Sequence, residues 1–276
     1  MIRALALVAV LAGALPAAAS DRIVSVGGAV TEIVHALGEG HRLVGRDTTS
    51  TYPQAVRDLP DVGYARRLSP EGLLSVNPDL ILAEEGAGPP ETVDLLRTAA
   101  IPFVEIPDGH DRAAVLAKIE AVADALGVPD KGAALAAEVG AALDAAAAEA
   151  AGGPGPKVMF VMSVQGGRVL AAGRNTAADG IIRLAGGENA IRDFEGYKPL
   201  TDEAVTLAAP DVILMMAREG AADGADQVLD HPAIRTTPAG RARALVRMDG
   251  LFLLGFGPRT GDAVRELSAA LAKAGS

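Results

Sequence analysis

Two segments that contain a tyrosine carry the residue types best suited to bind a ligand. The first is Gly63–Gly72, with Tyr64 and Arg66, and the second is Gly196–Ala204, with Tyr197. A deprotonated tyrosine oxygen is a hard anionic ligand for ferric iron. Its pKa is about 10 in water, so a phenolate at neutral pH needs a metal ion or a nearby cation, which Arg66 would supply. Alternatively, Tyr64 is a surface tyrosine packed against the next helical turn, and Arg66 is solvated.

A carboxylate follows each tyrosine at the same place. Glu71 and Glu203 are 132 residues apart, and each comes two residues after a hydroxyl residue that can cap a helix, Ser69 or Thr201. Acidic residues are favoured in the first turn of any helix, so this position alone does not require a partner. Asn77–Leu82 and Ala209–Leu214 match at the same distance, which indicates a duplicated chain with two lobes rather than a short-period solenoid.

The hydrophobic pattern alternates short buried strands with helices, which is typical of an α/β protein. The sequence therefore predicts two Rossmann-like lobes with mostly parallel sheets. Residues 130–151 are rich in alanine, leucine and glutamate and predict a single long α-helix between the lobes. The predicted strands are Ile23–Val26, Leu80–Ala83 and Phe103–Ile106 in the first lobe, and Lys157–Met162, Val212–Met216 and Leu251–Leu254 in the second.

The N-terminal segment has the pattern of a cleaved secretory signal: Arg3, an apolar run over residues 4–15, and three alanines at 17–19. The predicted organisation is thus a signal peptide at 1–19, an N-terminal lobe at 20–128, the connecting helix at 129–152 and a C-terminal lobe at 153–276. The apolar run is shorter than the roughly 20 residues that span a bilayer, so we expect export to a soluble compartment.

Composition excludes several function classes. The chain has no cysteine, so thiolate metal sites, disulfides and cysteine nucleophiles are excluded. Its formal net charge of −10 disfavours nucleic acid, which requires a clustered basic surface. The histidines at 35, 41, 110 and 231 show no spacing typical of a zinc site, and no serine has a visible histidine partner, so we do not expect an enzyme.

Ligands of open α/β sheets bind beyond the carboxyl ends of the strands, so two facing lobes predict a cleft lined by loops. The expected walls are residues 27–30, 47–52, 63–68 and 84–89 on one side, and 163–167, 194–198, 217–220 and 256–259 on the other. The candidates for ligand contact on these walls are Tyr64, Arg66, Gln165, Phe194, Tyr197, Arg218, Phe256 and Arg259.

Several blocks give the chain a likeness to a known family. They are Arg22–Gly28 with Thr31–Ile33, Leu59–Tyr64 with Arg66 and Leu68–Gly72, Ala177–Asp179 with Ala185–Gly187, Phe194–Tyr197, and Gly255–Thr260. On these blocks the chain resembles the periplasmic haem-binding proteins of ABC-type haem importers, whose two lobes are joined by one long helix. The Gly-Tyr-x-Arg-x-Leu-Ser block is the most specific, whereas the strand and glycine blocks recur in cobalamin and siderophore carriers of the same architecture.

The resemblance implies specific roles. Tyr64 would ligate haem iron, Arg66 would stabilise its phenolate, and Glu71 and Glu203 would dock onto arginines of the permease. Members that bind two haems use a histidine in the segment that is Ser163–Gly167 here, and its absence leads us to expect a single haem. An outer-membrane haem receptor system would act upstream. Cobalamin or a ferric siderophore remains an alternative ligand, because the fold and the docking glutamates would be the same.

Overall fold

The computed structural model describes residues 20–99, 101–153, 155–217 and 224–274. The proposed signal peptide lies outside these residues. The strands of the first half are β1 Ile23–Val26, β2 Leu43–Arg46, β3 Gly63–Tyr64, β4 Arg67–Leu68, β5 Leu80–Glu84 and β6 Phe103–Ile106. Its helices are α1 Gly28–Ala36, α2 Pro70–Leu74, α3 Pro90–Thr98 and α4 Arg112–Leu126.

The first lobe is built on a parallel four-stranded sheet in the order β2-β1-β5-β6. Its central strands are buried on both faces, which explains why apolar residues predominate in their sequences. One face, with Ile23 and Leu82, packs against α1 and α4, and the other face, with Val24 and Ile81, packs against residues of α2 and α3. The predicted parallel α/β lobe is confirmed.

The helix α5, Pro129–Ala150, connects the halves over 22 residues, close to the predicted range. It packs against α4 on one side and α12, Thr260–Ala274, on the other. Val139 and Leu143 of α5 belong to a hydrophobic core that continues from the first lobe into the second. Gly132 permits the close approach to α4, since a Cβ atom there would lie 2.3 Å from that of Ala123. The connecting helix is therefore part of the core of both lobes.

The second half contains a mixed sheet. Its strands are β7 Lys157–Gln165, β8 Arg168–Ala172, β9 Glu188–Asn189, β10 Tyr197–Pro199, β11 Val212–Ala217 and β12 Leu245–Asp249. Its remaining helices are α6 Ala177–Leu184, α7 Asp202–Ala208, α8 Ala225–Leu229, α9 Pro232–Arg235, α10 Pro238–Ala242 and α11 Gly250–Leu254. The order is β10-β8-β7-β11-β12, with β9 also paired to β7. Strands β7, β11 and β12 are parallel, and β8 and β10 extend the sheet in antiparallel fashion.

Two predicted elements differ from the structure. Leu251–Leu254, predicted as a strand, lies in helix α11, because the side chain of Asp249 accepts a hydrogen bond from the Phe252 N–H at 2.8 Å and starts a helix there. The strand precedes it at Leu245–Asp249. Ser163–Gln165, predicted as a loop, continues β7 and turns through Gly166 and Gly167 into the hairpin with β8. Both glycines have positive φ, of 56° and 74°, which suits a tight turn.

Candidate functional site

A short hairpin positions the first tyrosine. Strands β3 and β4 pair Tyr64 with Arg67, and the Leu68 N–H donates to the Gly88 carbonyl at 2.8 Å, which attaches the hairpin to the loop after β5. The Tyr64 side chain remains 44% exposed. The Arg66 guanidinium donates to the Gly86 carbonyl at 3.3 Å, so it is held beside the hairpin without a carboxylate partner among the described ion pairs. Tyr64 and Arg66 are therefore both accessible to a ligand.

The second tyrosine is placed differently. Tyr197 lies in β10, which pairs with β8, and its ring meets Phe160 edge to face at a centroid distance of 6.4 Å. Burial raises the pKa of Tyr197, while hydrogen bonds with Thr176 and the backbone of Ala178 and the charge of Arg66 act in the opposite direction. Since the net effect is a raised pKa, Tyr197 is a neutral phenol at physiological pH.

The two tyrosines border one cavity of about 700 Å³ between the lobes. The first lobe contributes Tyr64, Arg66 and His110, and the loops predicted at 27–30, 47–52 and 84–89 each supply lining residues. The second lobe contributes Tyr197 and four apolar side chains: Met162, Met216, Leu251 and Leu254. The expected cleft is therefore present, and its second-lobe wall combines these apolar side chains with the polar residues Asn175, Thr176 and Asp249.

Several predicted contact residues do not line this cavity. Gln165 is exposed at the end of β7, where it pairs with Arg168. Phe194 packs against Gly173 and lies 5.1 Å from the Lys198 ammonium. Phe256, expected in the cleft wall, is a core residue with 2% exposure, and its ring packs against His110 at 5.3 Å. Arg218 lies outside the described residues.

Arg259 was expected at the ligand, but it joins the two lobes. Its guanidinium contacts both carboxylate oxygens of Glu32, at 3.0 and 2.8 Å, and the Glu32 side chain is only 6% exposed. The guanidinium also lies 3.6 Å above the ring of Tyr52 and 5.1 Å from that of Phe252. Glu32 and Tyr52 belong to the first lobe, whereas Arg259 and Phe252 belong to the second. This placement makes Arg259 a contact between the lobes.

A second polar cluster, which the sequence analysis missed, borders the cavity. The side chain of Lys118 on α4 is fully buried, and its ammonium donates to Glu84 at 2.7 Å and to Asp108 at 2.8 Å. The ammonium also lies 3.5 Å from the Gly255 carbonyl of the second lobe. Burial alone would lower the pKa of Lys118, but the two carboxylates raise it above its ordinary value, so the side chain is charged.

His110 is the other cavity residue that sequence reasoning did not select. Its Nε2 atom lies 3.7 Å from Asp108, and burial lowers the pKa of His110 despite that carboxylate. The imidazole is therefore neutral at pH 7.

The sequence did contain a signal for Lys118. This lysine falls on the same helix face as Val115, Ile119 and Val122, where an apolar residue is expected.

The docking candidates lie on the outside. Ser69 caps α2 by accepting a hydrogen bond from the Gly72 N–H at 3.0 Å, and Thr201 caps α7 by accepting one from the Ala204 N–H at 3.2 Å. Glu71 and Glu203 follow these caps and are both exposed. Neither lines the cavity between the lobes. The structure thus separates the predicted ligand residues from the predicted docking residues.

Among the described residues, no group of three or more histidine, aspartate or glutamate side chains is arranged to hold a metal ion. In the same part of the chain, no helix has the length and apolar character required to cross a membrane.

Comparison with known proteins identifies the family of this chain. The periplasmic binding protein family matches residues 23–250. Among solved structures, the periplasmic haem-binding protein BhuT in complex with two haems is 46% identical, with a TM-score of 0.87, over 92% of this chain and 99% of that chain. RhuT, a periplasmic haem-binding protein from Roseiflexus sp. RS-1, is 44% identical, with a TM-score of 0.88, over 93% of this chain and 100% of that chain.

Curated relatives match over shorter stretches. The uncharacterized ABC transporter substrate-binding lipoprotein YvrC of Bacillus subtilis (strain 168) is 28% identical over 70% of this chain and 62% of YvrC. The vitamin B12-binding protein of Yersinia pestis (strain Pestoides F) is 36% identical over 32% of each chain. The matches thus span less than two thirds of the length of either relative.

Proposed function

Because the chain belongs to the periplasmic binding protein family, we propose that it binds ferric haem between its lobes and delivers it to the permease of an ABC importer. The observation that carries this proposal is the position of Tyr64 and Arg66 at the border of a cavity of about 700 Å³. The opposite wall supplies Met162, Leu251 and Leu254. An anionic iron ligand facing an apolar wall suits a flat apolar macrocycle with a central ferric ion.

In this proposal each side chain has a limited task. The Tyr64 oxygen binds the iron as phenolate, and the charge of Arg66 favours that ionised form. The methionine and leucine side chains cover the ring by dispersion and burial. No bond of the ligand is made or broken, so we propose a carrier and not an enzyme.

We propose one haem per chain. The structure of BhuT contains two haems, whereas residues 163–167 here include no histidine and Gln165 is exposed at a hairpin end. A titration with hemin would give the number of haems from its equivalence point. An equivalence point at two haems per chain would contradict this part of the proposal.

The outer surfaces would contact the transporter. We propose that Glu71 and Glu203 pair with basic residues of the permease, one from each lobe, because both are exposed at equivalent helix starts. Such charge pairs determine orientation and encounter rate more than affinity.

We also propose that residues 1–19 are removed on export. In the exported protein the lobes extend over 20–128 and 153–276, with the connecting helix at 129–152 between them. An outer-membrane receptor system supplies the haem.

One experiment tests the central proposal. Hemin is added to the purified protein and the visible absorption spectrum is recorded for the wild type, Tyr64→Phe and the control Tyr52→Phe. We expect a shifted Soret band for the wild type and the control, since Tyr52 stacks on Arg259 and does not line the cavity. A wild type without a shifted band would refute haem binding, and an unchanged band in Tyr64→Phe would refute the role of Tyr64.

Cobalamin is the second candidate, supported by the 36% identity to a vitamin B12-binding protein over 89 residues. The haem-binding structures match over more than 90% of the chain at higher identity, which favours haem. Titration with cobalamin in place of hemin separates the two ligands. Binding of cobalamin without any spectral change of hemin would reverse the assignment.

A further inference from the structure

Three methionines lie side by side in the sheet of the second lobe. Met216 of β11 is paired with Met248 of β12. The last pair of the ladder between β7 and β11 is Phe160 with Leu214. Met162 and Met216 each follow two residues later, so they are neighbours at the carboxyl ends of parallel strands. All three methionines belong to the face that packs on the core shared by the lobes.

The methionines differ in their access to the cavity. Met162 and Met216 are partly exposed, and both line it. The Met216 sulfur lies next to Gly250, another lining residue, because a Cβ atom at that glycine would be 3.2 Å from it. Met248, by contrast, is only 4% exposed, and Met159 is fully buried on the opposite face of β7. Two thioethers are therefore accessible from the cavity.

Met215 provides an internal comparison. Its side chain is also partly exposed, but it belongs to the opposite face of the sheet and does not line the cavity. The described part of the chain thus contains two methionines in the cavity, one partly exposed methionine outside it and two buried ones. This distribution separates exposure to solvent from exposure to the cavity.

An accessible thioether reacts with peroxides. The sulfur attacks one peroxide oxygen, the O–O bond breaks, and the sulfur loses two electrons to become a sulfoxide while the other oxygen leaves as water. Methionine sulfoxide reductases reverse the change with a dithiol, which becomes a disulfide as the oxygen leaves as water. The chain has no cysteine, so methionine is its only side chain that undergoes this reversible oxidation. A sulfoxide is polar, so it packs poorly against an apolar ring.

We propose that Met162 and Met216 are a site of reversible oxidation by peroxides, and that this oxidation weakens the binding of haem. The inference rests on the proposed haem-binding function and extends it to a condition under which the carrier releases its ligand more readily. In the reduced protein the two thioethers cover the macrocycle. In the oxidised protein two sulfoxide oxygens must lose water when the ligand enters, which lowers affinity by about tenfold. Oxidation of Met215 has no such effect, because its side chain lies outside the cavity.

The test compares the wild type, the double variant Met162→Leu with Met216→Leu, and the matched control Met215→Leu, each without ligand and before and after treatment with hydrogen peroxide. Peptide mass spectrometry locates the added oxygen, and Soret titration with hemin measures affinity. We expect the two cavity methionines to be oxidised at least about fivefold faster than the buried Met159 and Met248. Treatment should weaken hemin binding about tenfold in the wild type and the control. The double variant should keep the affinity that it had before treatment.

The wild-type protein allows a test without substitution, which decides the matter if the double variant does not fold. Oxidised wild type is treated with the two methionine sulfoxide reductases, one for each sulfoxide epimer, and a dithiol. Once mass spectrometry shows that the added oxygen has been removed from Met162 and Met216, the affinity for hemin should return to its value before oxidation. Persistent weak binding after this repair would show that another oxidised residue is responsible.

Three results would overturn the inference alone. They are oxidation of the cavity methionines at the rate of the buried ones, an unchanged hemin affinity of the oxidised wild type, and an equal loss of affinity in the treated double variant. Absence of a shifted Soret band in the untreated wild type would overturn the proposed function, and the effect on haem binding with it. The two failures are distinguishable, because the untreated protein reports the function and the treated protein reports the oxidation site.

Discussion

The Tyr64 segment and the Tyr197 segment retain the same helix start and differ in what surrounds the tyrosine. In both, a hydroxyl caps the helix at 3.0 to 3.2 Å and an exposed glutamate follows. Tyr64 extends from a two-strand hairpin that belongs to no larger sheet, while Tyr197 is part of the main sheet of its lobe and packs against Phe160. The two segments therefore have equivalent helix starts and different surroundings of the tyrosine.

The largest predicted difference concerns the two hydroxyl groups. We expect Tyr64→Phe to weaken haem binding by about 100-fold or more, equivalent to about 2.7 kcal/mol, because the proposed iron ligand is lost. Tyr197→Phe should weaken binding by less than about threefold, since its phenol stays neutral. Dissociation constants from Soret titrations measure both. Similar losses in the two variants would show that the cavity surfaces are equivalent after all.

The basic residues that follow the two tyrosines, Arg66 and Lys198, allow a second comparison of the two segments. Arg66→Gln should reduce haem affinity by about tenfold, equivalent to about 1.4 kcal/mol, because the proposed Tyr64 phenolate would lose its cation. Lys198→Gln should change affinity by less than about twofold, because Lys198 lies over the Phe194 ring, away from the cavity lining. Equilibrium dialysis with hemin would measure both, and an effect of Lys198 as large as that of Arg66 would argue against a one-sided site.

The next prediction concerns the exposed glutamates Glu71 and Glu203, the feature that the Tyr64 and Tyr197 segments share. Glu71→Lys and Glu203→Lys should each lower haem-dependent ATPase activity of the reconstituted transporter by about fivefold, with full Soret spectra retained. The loss should grow smaller at high salt, because exposed charges are screened. Asp130→Lys, at the exposed start of α5, is the matched control and should have no effect. An effect of only one glutamate would show that docking uses a single lobe.

The smallest predicted effect is a dependence on pH. The pKa of Tyr197 is raised in the folded protein, so above pH 10 the unfolded chain loses this proton while the folded chain keeps it. The free energy of unfolding should therefore decrease as pH rises above 10, and Tyr197→Phe should reduce that decrease. Urea unfolding at pH 8 and at alkaline pH measures the difference. A steeper decrease in the variant would contradict the sign.

Local patterns accounted for much of the fold. Buried strands such as Ile23–Val26, the long helix and the caps at Ser69 and Thr201 all follow from neighbouring residues. The prediction at Leu251–Leu254 was wrong, because a run of four apolar residues does not separate a strand from a helix, and the cap at Asp249 decides the outcome.

Contacts between distant residues could not be predicted in the same way. Arg259 pairs with Glu32, 227 positions away, and nothing near Arg259 in the sequence indicates that partner. Phe256 belongs to the same block as Arg259, Gly255–Thr260, and was predicted in the cleft wall. Its ring instead packs in the core against His110. Lys118 could have been noticed as a lysine on an apolar helix face, but its carboxylate partners come from two other segments.

The pairing of Glu32 with Arg259 has a mechanical consequence for the cleft. Glu32 is almost fully buried, and its attraction to the guanidinium weakens steeply once water enters between them. Small separations of the lobes are therefore resisted strongly and larger ones only weakly. Opening of the cleft would have a threshold force instead of a steady stiffness, and any partner that opens it must first supply enough force to break this ion pair along with the contact of the Lys118 ammonium to the Gly255 carbonyl.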